Sequence, residues 1–339
     1  MKAVAYTHSL PIEAEESLQD LIMPEPHLPT GRDLLVEVRA VSVNPVDTKL
    51  RMRNDPVGTP TVLGYDAAGV VLRVGPDVRL FRPGDAVFYA GDISRPGTNS
   101  ERHLVDERIV GLKPVKLSFA EAAAVPLTAI TAWEALFDRL RIPRSSVSRD
   151  EALLIIGGGG GVGSIAVQLA RRLTGQRVIA TASRPETMDW VRGMGAHEVV
   201  DHSGNLVAQL RAIGAPVRYI LVTTHTDTHW PAICEILAPQ GAVCLIDDPK
   251  SPPDVRMLKT KAASLHWEFM FARPIHHTAD MDEQHRLLTE VSRMLDLGTL
   301  RTTLGEHFGT INANNLRRAH AAIETGKAKG KIVLEGFGA

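Results

Sequence analysis

At 339 residues the chain is too long for one ordinary domain and suits two, with length enough for sizeable cores. Its composition, 44% hydrophobic and 23% charged with a formal net charge of −1, is ordinary for a globular protein and gives no electrostatic case for binding nucleic acid or an anionic membrane. No apolar run approaches the roughly 18 residues that span a bilayer, and the opening MKAVAYTHSL lacks a signal-peptide core, so a soluble cytoplasmic protein is expected.

From Met1 to about Leu112 the pattern is short strands and turns. Leu34 to Val43 alternates in strand fashion, Ala67 to Val74 is another β-rich run closed by Gly75-Pro76, and the turn Arg82-Pro83-Gly84-Asp85 leads into Ala86 to Tyr89. Many short strands with frequent glycine and proline imply a compact, partly barrel-like β domain. Ser118 to Leu140 is helical in composition, with a capping box at Ser118 and Glu121 and a break at Pro126. A polar segment, Arg141 to Asp150, follows.

The next stretch changes character. Ala152 to Ile156 is a short, wholly apolar run, as in a parallel strand buried on both faces, and Val162 to Leu173 carries apolar residues at helical spacing. Between them Gly158-x-Gly160-x-x-Gly163 fits a dinucleotide fingerprint: glycines for the tight turn, for backbone approach to a pyrophosphate and for close helix–strand packing. The pyrophosphate is expected on the N–H groups at the helix N-terminus, around Gly160, Gly161, Val162 and Gly163. A second strand, Arg177 to Ala182, ends where an NAD site usually places an acidic residue on the ribose. Here stand Ser183 and Arg184. A hydroxyl and a guanidinium fork suit a 2′-phosphate, so the expected cofactor is NADPH.

Helices near 186–193, 206–213 and 230–237 then alternate with strands at 198–200, 219–223 and 242–246, the pattern of a doubly wound parallel sheet ending near Leu297. Cys234 and Cys244 fall in or beside its core segments, so two buried free thiols are expected and a four-cysteine zinc site is arithmetically impossible. In the tail, 302–311 reads as extended, 312–324 as a helix with an Asn312 cap, and 331–334 as a strand. One helix and one strand cannot make a third domain. The tail is therefore expected to complete the N-terminal domain, giving a discontinuous domain of 1–125 with 299–339 around an inserted 126–298.

This order of parts, with Asn44-Pro45-Val46-Asp47, Gly64-Tyr65-Asp66-Ala67-Ala68-Gly69, Arg82-Pro83-Gly84-Asp85, the glycine turn and Gly330-Lys331-Ile332-Val333-Leu334, resembles the medium-chain dehydrogenase/reductase superfamily along essentially the whole chain. Within it the chain is similar to the quinone oxidoreductases and to the bacterial subgroup labelled zinc-type alcohol dehydrogenase-like, through Pro126-Leu127-Thr128, Glu268-Phe269-Met270-Phe271 and Asp280 to His285. The resemblance implies an α/β protein: a GroES-like β-rich catalytic domain and a Rossmann domain, joined as a homodimer through edge strands. It places Asn44, Asp47, Tyr65 and Thr131 around the nicotinamide and the acceptor. Asn44 would donate to the acceptor or cofactor, Tyr65 would supply a hydroxyl or a stacking face, and Thr131 would face the nicotinamide. Asp47 also fits a helix cap. Lys331, in GKAKGK, is assigned to the cofactor phosphates, and Trp267, Phe269, Met270 and Phe271 to an apolar roof. Lys49 stands where many quinone oxidoreductases have tyrosine, so their acceptor-site details do not carry across.

Zinc members of the superfamily have cysteine, a His-Glu pair and a second cysteine where this chain has Asn44, Tyr65-Asp66 and Leu127. A catalytic zinc needs three protein ligands and an open position, and Asp66 alone is one weak ligand. His225 with His229, and His276 with His277, offer no third ligand. No zinc is expected. Hydride transfer from NADPH would then go to an acceptor already poor in electrons, a quinone or an α,β-unsaturated carbonyl, in the cleft between domains. The competing readings are a zinc alcohol dehydrogenase using other ligands and a non-catalytic NADPH-binding redox sensor.

Overall fold

The computed structural model describes residues 1–145 and 150–338; residues 146–149, within the predicted polar segment, lie outside it. The chain divides into two compact units, 1–130 with 271–339 and 131–270.

The first unit begins with β1 (Lys2–Tyr6), β2 (Gln19–Ile22) and β3 (Asp33–Val43), then α1 (Pro45–Arg53), β4 (Thr61–Val62), β5 (Ala67–Val74), β6 (Ala86–Tyr89), β7 (Arg102–Asp106) and β8 (Val110–Leu112). After α2 (Phe119–Ala123) comes α3 (Pro126–Trp133), along which the chain passes to the second unit. Ser118 caps α2 through its hydroxyl, which accepts the Glu121 N–H at 3.1 Å, while the Glu121 carboxylate accepts the Ser118 N–H at 2.8 Å. Pro126 opens α3 because its missing N–H is unpaired in a first turn anyway. The long β3 pairs with β5 along one edge and, along the other, with β7 in its first half and β16 (Lys331–Glu335) in its second, so β16 lies in a sheet built mostly from the first third of the chain.

The second unit starts on a π-turn, Glu134–Arg139. It continues with β9 (Ala152–Ile156), α4 (Gly161–Leu173), β10 (Arg177–Thr181), α5 (Pro185–Met194), β11 (Glu198–Val200), α6 (Leu206–Ile213), β12 (Val217–Val222), α7 (Thr226–Ile236), β13 (Leu237–Leu245) and β14 (Ser264–Trp267). The six strands are all parallel in the order β11-β10-β9-β12-β13-β14. This is the doubly wound order, whose reversal point falls between β9 and β12. Apolar residues on both faces bury β9 completely, as its unbroken run requires.

The second unit ends at Met270, not near residue 298. The return passes through α8 (Ala272–His276), α9 (Glu283–Asp296), β15 (Leu304–His307) and α10 (Ala313–Glu324) before β16. The amphipathic α9 buries Leu287, Leu288, Val291, Met294 and Leu295 and packs on β8, where Gly111 leaves room. A Cβ at Gly111 would stand 2.7 Å from Leu288 Cβ. That close approach fixes α9 to the first unit, and helical periodicity alone does not say which sheet a helix covers. Cys234 and Cys244 are both free and buried, and burial pushes both thiols up, Cys234 to about 11, so neither is a ready nucleophile. Among the described residues no helix is long and apolar enough to cross a membrane.

Candidate functional site

In the first unit the motifs around Asn44, Tyr65-Asp66 and Lys331 converge on one buried ionic centre. Extended backbone at Asn44 turns β3 into α1, and Asp47 in the first helical turn accepts the Asn44 N–H at 2.7 Å, the capping role its spacing allowed. Gly64 has φ +108° and its missing Cβ would lie 2.6 Å from Asn99 Oδ1, so only glycine brings Tyr65 and Asp66 to this point. Asp66 is fully buried. Its Oδ1 accepts Leu127 N–H at 2.8 Å, and its Oδ2 accepts from Ser42 Oγ and from Asn44 Nδ2, both at 2.9 Å. Lys331 Nζ lies 3.1 Å from the same Oδ2.

Lys331 does not reach toward a nucleotide phosphate, as the sequence reading expected. Its ammonium is buried and gives its protons to Val43 O at 2.9 Å, to Asn44 Oδ1 and to Asp66, which uses all three donors. Asn44 is committed in the same way: its amide donates to Asp66 and to the carbonyls of Tyr65 and Ser42 and accepts from Lys331, so it has no donor left for an acceptor carbonyl. Burial pushes the Asp66 carboxyl up, and the Lys331 ammonium, the Leu127 N–H and the Asn44 amide oppose it. With four donors aimed at it, the geometry fits the ionised carboxylate.

The residues at the zinc-ligand positions of the superfamily are thus Asn44, Tyr65-Asp66 and Leu127, and the one carboxylate among them has its lone pairs taken by an ammonium, a hydroxyl, an amide and a backbone N–H. This donor set does not fit a metal ion. Among the described residues no group of three histidine, cysteine, aspartate or glutamate side chains is arranged to hold one.

Two groups beside this centre are not consumed by it. Asp47 Oδ1 is buried without a hydrogen-bond partner, and burial pushes its carboxyl up to about 7, with the Asn44 N–H and Lys331 pulling the other way. Burial and, behind it, the charge of Asp47 hold the Tyr65 phenol above its ordinary value, so it is protonated at neutral pH. The Tyr65 ring packs edge-on to Phe271 at 5.5 Å, which gives Phe271 a packing role. Of the remaining residues assigned to an apolar roof, Met270 is buried while Trp267 and Phe269 are about half exposed.

In the second unit the turn after β9 is held by its neighbours' hydroxyls. Gly157, with φ +84°, donates to Thr181 Oγ1 at 3.0 Å, and Gly158 donates to Thr181 O at 2.9 Å. Gly157 therefore makes the tight turn, although the fingerprint began one residue later. Gly163 is where backbone meets backbone: a Cβ there would lie 2.2 Å from Gly157 O, whereas one at Gly160 would be 3.8 Å from the same atom. Gly160 is the N-cap of α4, so the N–H groups of Gly161, Val162 and Gly163 are the first of the helix and have no intrahelical acceptor. Ser183 and Arg184 leave the end of β10, and Arg184 Nη1 lies 3.2 Å from Glu186 Oε1 on the surface. Thr131 is buried in the last turns of α3.

Sequence reasoning missed three features of this unit. Thr181 and Thr223 tie down the glycine turn, the latter through Ile156 O at 2.8 Å; a hydroxyl at the end of an otherwise apolar strand was the available signal for Thr181. His202 was a second: past the C-terminal ends of β11 and β12 it joins His225 and His229, the pair that the sequence did single out. Buried Glu268, after β14, bonds Arg139 at 2.9 Å, and the π-turn brings Glu134 within 3.7 Å of the same arginine. Burial first, then Glu134, pushes the Glu268 carboxyl up to about 9.

Two family models match the chain, one of an alcohol dehydrogenase GroES-like domain over 30–134 and one of a zinc-binding dehydrogenase over 194–334. The zinc-type alcohol dehydrogenase-like protein SAV2186 of Staphylococcus aureus is 41% identical over 336 residues, spanning 98% of this chain and 99% of that one. The 2-methylene-furan-3-one reductase of Solanum lycopersicum is 28% identical, over 98% of this chain and 79% of its own length. Among solved structures, a Rhizobium etli protein assigned to the zinc-dependent alcohol dehydrogenases is 57% identical with a TM-score of 0.96, covering 100% of this chain and 99% of that one. The quinone oxidoreductase of Coxiella burnetii is 25% identical with a TM-score of 0.79, covering 99% of each. With its GroES-like unit, its Rossmann sheet and these full-length relatives, the chain is an oxidoreductase of the medium-chain dehydrogenase/reductase superfamily, in the bacterial zinc-type alcohol dehydrogenase-like group.

Proposed function

We propose that the protein is an NADPH-dependent, zinc-independent reductase of quinones or α,β-unsaturated carbonyls. The observation that carries this reading is the Lys331–Asp66–Asn44 centre, in which an ammonium takes the carboxylate that a metal would need. Without a Lewis acid to stabilise an alkoxide, the suited acceptor is one already poor in electrons. The names of the tomato and Coxiella relatives, an enone reductase and a quinone oxidoreductase, support the same acceptor class.

When bound, the nicotinamide supplies the hydride. The chain's part is to hold the cofactor and provide a proton. The bare N–H groups of Gly161, Val162 and Gly163 suit the pyrophosphate, with Gly158 and Gly160 keeping side chains away from it. Ser183 and Arg184 are assigned to the 2′-phosphate. Tyr65, protonated and with no hydrogen bond to its hydroxyl among the described residues, is the group suited to give the proton, with Asp47 beside it; Thr131 is assigned to the nicotinamide. The protein is read as a homodimer: among the described residues the outer edge of β14 in the Rossmann sheet is unpaired, and Trp267 on it and Val255 and Met257 before it are exposed.

The test is NADPH oxidation, followed by absorbance, against a panel of quinones and enones with and without a chelator. Chelator-resistant turnover with NADPH in preference to NADH is expected, and Arg184→Ala should narrow that preference about tenfold. Chelator-sensitive alcohol oxidation would overturn the reading.

A further inference from the structure

The histidine group past the sheet's C-terminal edge is wired to the glycine turn. His202 Nδ1 lies 2.9 Å from Thr181 Oγ1, the same oxygen that accepts the Gly157 N–H at 3.0 Å. A hydroxyl has one proton to give and two lone pairs. Thr181 is fully buried, so its proton has a use only if it goes to His202 Nδ1, which makes the resting ring neutral with its proton on Nε2. That Nε2 has no hydrogen bond among the described residues. Behind it the ring of His229 stands edge-on, with centroids 5.8 Å apart; His229 is 8% exposed and among the described residues neither of its ring nitrogens has a hydrogen-bond partner.

The position of this group is set by strand register. Thr181 pairs with Val200 across β10 and β11, and Ala182 N donates to Val200 O at 3.1 Å, so Ser183-Arg184 and Asp201-His202 leave adjacent strand ends side by side. The adenosine ribose of a dinucleotide is read at the end of that second strand.

We propose that His202, with His225 and His229 behind it, is a specificity-determining group for the phosphorylated adenosine end of the cofactor, and that it takes up a proton when the 2′-phosphate binds. This rests on the NADPH reading above. The charged and titratable neighbours agree with it. Asp201 on the same loop and Asp247 after β13 favour protonation, while His225 and burial oppose it, so burial holds both His202 and His229 below the ordinary imidazole range in the free protein. Asp201 is bonded to Ser203, and Asp247 to Thr226, so neither carboxylate is directed at the rings. A phosphate dianion would supply the missing counter-charge. The exposed Arg184–Glu186 pair lies on the neighbouring loop.

The experiment is calorimetric titration of the full chain at pH 7 with 2′,5′-ADP and with 5′-AMP, each in two buffers of different ionisation enthalpy. A phosphate whose second pKa is about 6 would itself release a small fraction of a proton on binding, so net uptake has to come from the protein. Expected are preference for 2′,5′-ADP and uptake of roughly half a proton or more, absent with 5′-AMP. His202→Asn, whose carbonyl can still accept from Thr181, should lose most of the uptake and bind 2′,5′-ADP about tenfold more weakly with 5′-AMP unchanged; His229→Gln should lower the uptake in part. Preference for 2′,5′-ADP with uptake unchanged in both variants overturns the role of the histidines and leaves the NADPH reading standing. Equal binding of the two nucleotides overturns both.

Discussion

In the first unit the ammonium of Lys331 meets three acceptors and Asp66 meets four donors; in the second, Arg139 faces two buried carboxylates, Glu134 and Glu268, and Glu268 Oε1 is left without a partner. Both clusters join distant parts of their unit. The first does so with charges matched one to one. The second has one positive charge for two carboxyl groups, and it resolves the excess by keeping a proton. A satisfied cluster acts as a fastener, while an under-neutralised one remains sensitive to its surroundings.

The largest effect should come from breaking the matched pair. Lys331→Met leaves Asp66 charged and buried, which costs about 3–5 kcal/mol in chemical unfolding, and adding Asp66→Asn should recover much of it. A loss below about 1 kcal/mol would mean that the pair is not the fastener described.

Next in size is a steric effect in the second unit. Gly163→Ala pushes a Cβ against the Gly157 carbonyl, a backbone atom that cannot swing away, and should cost roughly 1–3 kcal/mol. Gly160→Ala should be close to neutral in stability. Thermal unfolding of the two variants side by side decides whether the close packing lies at 163.

A third effect is spread over pH and is small within any one pH unit. A carboxyl held protonated up to about 9 binds a proton that the unfolded chain has already lost, so stability falls as pH rises from about 4.5 to 9, by at most about 1.4 kcal/mol per unit, and levels off above. Glu268→Gln removes that slope and should be the more stable protein, relative to its own value at pH 5, by pH 9. Parallel curves of unfolding midpoint against pH for the two proteins would show that no proton is held there.

Much of this was legible in the residues. Strand alternation, the apolar run of 152–156 and the glycine spacing correctly located β3, β5, β9 and α4, because periodicity and punctuation are local properties. The fate of Lys331 was not legible: three lysines in GKAKGK look alike in sequence, and only the pairing of β16 with β3 sends one of them inward. Asn44 was expected to be a donor to substrate for the same reason, since its real partners come from residues 66 and 331. The boundary near 298 failed because α9 is amphipathic toward either sheet, and the contact at Gly111 that decides the matter has no signature in the helix itself. Glu268 and Glu134 met only through a π-turn, which no propensity announces.

The pairing of β16 with β3 also has a consequence in time. Asp66 and the sheet around it are made early, but the strand and the ammonium that complete them come after the whole of the inserted unit in chain order, whereas 131–270 is continuous and can close on itself beforehand. During synthesis the inserted unit is therefore expected to become protease-resistant first, with the surrounding one resistant only after Lys331 has emerged; pulse proteolysis of stalled nascent chains would order the two events. A chain lacking residues 330–339 should keep a folded Rossmann unit attached to a first unit that holds an unmatched buried charge.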